Sequence, residues 1–391
     1  MEKTWRWFGK NDLIKLEMLK QIGVEGIVTA LHEIPNGEIW SKEQILDTKR
    51  YIESKGLKWS VVESLPVSEQ IKLGSKERDF IIENYIKSLE NLGEAGIKTV
   101  CYNFMPVLDW ARTDLLFKLF DGSYTLYFDK AKFAYFDIHI LKRSNAELDY
   151  SIKELKAVEN LANSISNNEI EKLIDTIIVK TQGFINGNIS SNDLAPLNKF
   201  KDLLSKYENI DKEQLRANLK YFLNKIIPTC EKYEISMCIH PDDPPFSLFG
   251  LPRIVSNEED ISWVLDAVDN KYNGLTFCSG SLSASVNNDV IHLAKKFAHR
   301  TKFLHLRSTE ILNDGDFIEA DHLKGRGKVI DLIKIFQSMN PNLPMRPDHG
   351  KVILGDENIN YNPGYSFHGR MLAFAHLHGV IETIKHTQKI I

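Results

Sequence analysis

Four residues of metal-binding type close four short apolar runs in the second half of the chain: His240, Cys278, His305 and Asp348. The runs are Ile235 to Ile239, Leu275 to Phe277, Lys302 to Leu304 and Leu343 to Met345. Each is short and apolar enough to be a buried strand. The four residues follow one another at steps of 38, 27 and 43 positions. A (β/α)8 barrel spends roughly 30 residues on each strand–helix unit and builds its site at the C-terminal ends of its strands. The spacing therefore predicts one ligand per barrel unit, all converging on one mouth.

A thiolate, two imidazoles and a carboxylate form a mixed soft and hard donor set. Four protein ligands would saturate tetrahedral zinc and leave no place for substrate. A catalytic ion here must accept five or six ligands, which points to Mn2+ or Fe2+. Any one such histidine or cysteine is more commonly a packed residue. The joint pattern carries the reading.

Polar groups cluster around these ends. His240 opens an acidic, proline-rich loop with Asp242 and Asp243. Either aspartate could be ligand, acid or base, and either could simply form a turn before proline. Arg307 and Arg346 lie two residues from His305 and Asp348, and Arg253 follows the run that His240 closes. Guanidinium groups suit a carboxylate or phosphate substrate, although each also suits an ordinary ion pair. His349 directly follows Asp348 and is expected to face substrate as a general acid or base. Tyr365 is a second proton carrier or a packed tyrosine. Arg6, Trp7, His32, Asn36, Glu63 and Asn103 fall at the other strand ends and could contact a polyhydroxylated substrate.

The elements that must hold these residues alternate. Strands are expected over Thr4 to Phe8, Gly26 to Leu31, Trp59 to Glu63 and Lys98 to Asn103, with helices between them. The fifth strand waits until Ile235. Residues 104–234 exceed any crossover helix and read as a helical insertion after strand 4, with one extended piece at Gly122 to Phe128. A structureless loop of that length is implausible. Regular alternation then resumes, giving eight strands and an α/β fold, a (β/α)8 TIM barrel. Residues 1–391 are expected to form one domain, with the insertion inside it.

Composition excludes other classes. The chain has 391 residues, 43% of them hydrophobic and 26% charged, with a net charge of −4. That balance carries no basic footprint for nucleic acid. No apolar run approaches the ~20 residues of a membrane span. Met1 to Trp7 holds no apolar signal core, so a cytoplasmic protein is expected. Cys101, Cys230 and Cys238 lie in or beside apolar runs and read as buried hydrophobes.

The segments Thr4 to Gly9, Leu31 to Trp40, Cys101 to Trp110, His240 to Pro245, Phe277 to Ser281, His305 to Arg307, Arg346 to Gly350 and Asn362 to Tyr365 together resemble the mannonate dehydratases of hexuronate catabolism. The resemblance spans nearly the whole length. It implies a barrel related to xylose isomerase-like enzymes and dehydration of D-mannonate to 2-dehydro-3-deoxy-D-gluconate. It also implies Mn2+ or Fe2+ on His240, Cys278, His305 and Asp348, and proton transfer by His349 and Tyr365. Arg307, Arg346, Arg6, Trp7, His32, Asn103 and Asp242 are expected on the sugar-acid substrate, and a homodimer is the expected assembly. The alternative is a metal-dependent aldose–ketose isomerase, whose sites are richer in carboxylates.

Overall fold

The strands are short, four to six residues each. The structure is a computed structural model that describes residues 1–182, 189, 195–312 and 315–388. In chain order they are β1 (Glu2–Arg6), β2 (Gly26–Thr29), β3 (Lys58–Glu63), β4 (Thr99–Tyr102), β5 (Asp114–Lys118), β6 (Tyr124–Phe128), β7 (Ser236–Ile239), β8 (Asn273–Cys278), β9 (Thr301–Leu306), β10 (Ser308–Ile311), β11 (Phe317–Ala320) and β12 (Pro344–Pro347). A closed barrel runs β1-β12-β9-β8-β7-β4-β3-β2. All its pairings are parallel, and β1 closes it against β12 and β2. The (β/α)8 barrel expected from the alternation is what forms.

Helices wrap the outside, started where capping residues predict. Ser41 accepts from Gln44 N at the head of Lys42–Ser54, and Asp211 accepts from Gln214 N at the head of Lys212–Tyr233. Such caps satisfy the orphan N–H groups of the first turn. The first helix, Leu16–Gln21, begins well after β1. Asp12 accepts from Phe8 N and Ile14 N and shapes the preceding turn. Leu215, Leu219, Phe222 and Leu223 of Lys212–Tyr233 join the main core. That helix is the barrel's own crossover after β4, so residues 104–234 contain more than inserted chain.

Two cores result. The large one lies between strands and helices. Inside the barrel, Val28, Val61, Cys101 and Phe303 form a small cluster of their own. Such a plug makes the barrel a packed body with a floor beneath its mouth. A second apolar core joins Phe133, Phe136, Ile177 and Phe200 to Phe249 and Phe317. It underlies a four-stranded antiparallel sheet in the order β10-β11-β6-β5. The extended piece at Gly122 to Phe128 is β6 of that sheet. Its partners β5, β10 and β11 were not foreseen. No helix among the described residues is long and apolar enough to cross a membrane.

Candidate active site

Strand register brings the expected ligands together. Cys278 ends β8 and pairs with His305 on β9, and His305 pairs with Arg346 on β12. His240 and Asp348 lie one residue beyond β7 and β12. Their backbones continue the ladder, His240 N to Tyr102 O at 2.7 Å and Asp348 N to Leu306 O at 3.3 Å. One ligand atom each from His240, Cys278 and His305 lies within 4.8 Å of the others. Asp348 Oδ2 is 3.6 Å from Cys278 Sγ.

The electrostatics suit a cation. Burial opposes the Cys278 thiolate, but Arg307 and His240 hold its pKa well below the ordinary 9.0. Burial disfavours charge on His240 as well, yet Cys278 and Asp348 raise its pKa to about 9. Its Nδ1 is 2.7 Å from the Pro241 carbonyl oxygen, which can only accept, so Nδ1 donates. That leaves His240 Nε2 as the ligand atom. A divalent ion would take the place of the Nε2 proton. The donor set therefore fits a metal ion.

Around this cluster the charges alternate. Arg346 donates to both oxygens of Glu63, at 3.0 and 2.8 Å, and to Asp348 Oδ1 at 2.6 Å. Arg6 reaches Glu63 Oε1 at 2.7 Å, and His305 Nε2 lies 3.3 Å from Glu63 Oε2. Burial would raise the Glu63 pKa, but Arg346 and Arg6 drive it well below 4.5. Arg6 Nε is buried without a hydrogen-bond partner among the described residues.

A cavity at the mouth is lined by Arg6, Asn103, Trp110, Asp348, His349 and Tyr365, among others. The His349 and Tyr365 rings meet edge to face, centroids 5.3 Å apart. Burial raises the Tyr365 pKa above the ordinary 10.0, although Arg346 works against it. Gly364 precedes Tyr365 with φ +80°, and a Cβ there would come within 2.9 Å of His349 Cδ2. Asn103 Nδ2 donates to Asp109 Oδ1 at 2.8 Å at the same mouth.

Other expected substrate contacts lie elsewhere. Arg307 is 1% exposed and spends its fork on the protein. It donates to Asp348 at 2.9 Å, Asp243 at 2.6 Å and Ser281 at 3.0 Å, and to Glu319. Trp7 is buried, stacked on Tyr51, with Nε1 donating to Ile14 O. Asp242 is buried and accepts from Val255 N and Ser256 Oγ. His32 is exposed beside the Phe8 ring. None of these four lines the cavity among the described residues.

Glu319 and Arg112, which stand behind the cavity lining, were not singled out in sequence. Glu319 lies on β11, and Arg112 just precedes β5. Arg112 is fully buried and bridges Asp243 Oδ1 at 2.8 Å and Glu319 Oε1 at 2.6 Å. One signal was available for Glu319. Residues 313–315 read Asn-Asp-Gly between two alternating runs, a hairpin pattern.

A family model described as D-mannonate dehydratase (UxuA) matches residues 1–391. A mannonate dehydratase of Chromohalobacter salexigens is 44% identical, over 98% of this chain and 99% of its own length. One from Marinomonas sp. is 43% identical, over 99% of this chain and 100% of its own. The crystal structure of mannonate dehydratase from Streptococcus suis serotype 2 superposes with a TM-score of 0.79 at 34% identity, covering 99% of this chain and 96% of that one. These findings favour the dehydratase over the isomerase reading. The chain belongs to the D-mannonate dehydratase family.

Proposed function

We propose that this chain, a hydro-lyase, removes water from D-mannonate at the barrel mouth, giving 2-dehydro-3-deoxy-D-gluconate, with His349 and Tyr365 as its proton carriers. The observation that supports it is the convergence of His240, Cys278 and His305, with Asp348 beside Cys278, and of this pair at one mouth, in a chain of this family. His240, Cys278, His305 and Asp348 would hold Mn2+ or Fe2+, which supplies Lewis-acid stabilisation of negative charge on the substrate.

The chain's own residues account for the proton traffic. Burial keeps the Tyr365 phenol protonated at neutral pH, so it is assigned to the leaving C3 hydroxyl. His349 takes the C2 proton. The C2–C3 double bond forms as water departs with the phenolic proton. The enol then becomes the ketone as C3 takes the proton from His349 and the C2 hydroxyl returns one to Tyr365. Both groups are thereby reset. Arg6, with its unpaired buried Nε, is assigned to the substrate carboxylate. Asn103, at the rim with Asp109, is assigned to the distal hydroxyls. Arg346 and Arg307 act one step back, holding Glu63 and Asp348 in place.

The test is anaerobic turnover of D-mannonate by metal-stripped protein with Mn2+, Fe2+, Zn2+ or nothing restored. A 2-keto-3-deoxy acid formed only with Mn2+ or Fe2+ is expected. Turnover of neutral aldoses with D-mannonate inert would overturn the proposal.

A further inference from the structure

Glu319 belongs to no barrel strand, yet it reaches the barrel mouth. It sits on β11, inside the four-stranded sheet. Its backbone is fixed by register with Thr309 on β10 and by Thr125 Oγ1, which donates to its carbonyl oxygen at 2.9 Å. The side chain is buried. Oε1 faces Arg112 Nη2 at 2.6 Å, Arg307 Nη1, and His349 Nδ1 at 3.1 Å.

An ionised carboxylate only accepts hydrogen bonds. Its contact with His349 therefore places the ring proton on Nδ1 and leaves Nε2 to exchange protons with substrate. A carboxylate in this position also faces the positive charge the ring acquires in the reaction, as the buried aspartate of a catalytic triad does. The ring is held from its sides as well, with Trp110 at 4.9 Å and Tyr365 at 5.3 Å.

We propose that Glu319 is the positioning residue for His349, fixing its Nδ1–H tautomer and balancing the charge gained at Nε2, and that the four-stranded sheet delivers it. The inference rests on the assignment of His349 as a proton carrier. A purely structural salt link is the competing account. Asp243 already takes both guanidiniums, Arg112 at 2.8 Å and Arg307 at 2.6 Å. The contribution specific to Glu319 is the anion at His349 Nδ1.

The experiment compares full-length Glu319→Gln, Glu319→Asp and His349→Gln proteins loaded with Mn2+. It reads kcat and KM for D-mannonate, metal per chain and Tm. Glu319→Gln is expected to lower kcat about 10–100-fold, the range known for partners standing behind reacting or ligating groups. KM should stay within about threefold and metal per chain should match wild type, since no ligand is lost. Glu319→Asp should recover part of the rate. Wild-type kcat in Glu319→Gln beside an inactive His349→Gln would overturn the inference, as would a loss that follows KM or metal content. Normal turnover by His349→Gln would instead overturn the His349 assignment. If Glu319→Gln does not fold, the ring 15N shifts of His349 in the metal-free native chain decide. A bare Nδ1 with a protonated Nε2 overturns the proposal, and the reverse supports it.

Discussion

The mouth of this barrel has two halves of different construction. On one half, Cys278, His305 and Arg346 are aligned by the strand ladder itself. On the other, His349, Glu319, Arg112 and Asp243 come from loops and from a sheet outside the barrel. The ladder half presents donors to a cation. The loop half presents a carboxylate–imidazole pair backed by buried guanidiniums. A barrel can therefore keep its proposed ion-binding wall fixed by backbone register while its proposed proton-handling wall depends on long-range ion pairs. Loops on rigid scaffolds are where reaction chemistry is usually varied.

The sharpest way to break this division is to damage each half separately. His349→Gln is expected to cut kcat by about 10²–10⁴, the usual worth of a general acid or base, while metal content stays at wild type. Cys278→Ser is expected to lose metal affinity first, with the fold intact, because the serine hydroxyl is a poor substitute for a thiolate. Metal titration and steady-state kinetics on both variants check this. Loss of metal in His349→Gln, or full metal and rate in Cys278→Ser, would erase the distinction between the halves.

Stability should divide the same way. Arg112 is fully buried between Asp243 and Glu319. Arg112→Met leaves both carboxylates with one cation fewer and should cost about 3–5 kcal/mol in urea unfolding, the typical cost of breaking a buried pair. Lys42→Met removes an exposed pair with Glu94 and should leave the unfolding curve almost unchanged, because solvent screens such a pair. Equal losses would mean that the buried ions do not anchor the loop half.

The same ion cluster should show in acid. Arg307 and Arg112 outweigh burial and hold Glu319 at about 2, below its ordinary 4.5. A depressed carboxylate stabilises the fold above its ordinary pKa and loses that contribution as pH falls toward the lowered value. The window therefore runs from pH 4.5 down to about 2, and the contribution is of order 3 kcal/mol. Over that range Glu319→Gln should lose less stability than wild type in urea titrations. Parallel curves would exclude Glu319 as an acid-sensitive group.

These halves also differ in how much of them could be seen in sequence. His240, Cys278, His305 and Asp348 were legible because each ends a strand and strands recur at barrel spacing. Glu63 was placed at the mouth for the same reason. Its junction with Arg346 was not visible, because the two residues are 283 positions apart. Glu319 was missed because β9 runs almost directly into β10, and only the sequence Asn-Asp-Gly at 313–315 hints at a new hairpin. β5 escaped because its exposed, irregular alternation reads as loop. Arg307 was expected on substrate because strand alternation aims it at the mouth. The pairing of that arginine with Asp348, Asp243 and Glu319 depends on three separate loops and strands, which no local pattern encodes.

The smallest effect tests whether packing around His349 is part of the proton-handling half. Gly364 and Gly122 both hold positive φ, +80° and +86°. Alanine at either position is strained by about 1–3 kcal/mol. Only at Gly364 does the new Cβ meet a neighbour, 2.9 Å from His349 Cδ2 and 3.1 Å from Leu126 Cδ1. Nothing lies within 4 Å of a Cβ at Gly122. Both variants should lower Tm by similar small amounts. Gly364→Ala should also lower kcat, because the imidazole must shift, and its 3.1 Å contact with Glu319 Oε1 tolerates little displacement. Equal kcat in the two variants would show that the ring absorbs the methyl group without losing its aim. In that case the Gly364 turn does not set the orientation of His349, which is left to Glu319, Trp110 and Tyr365.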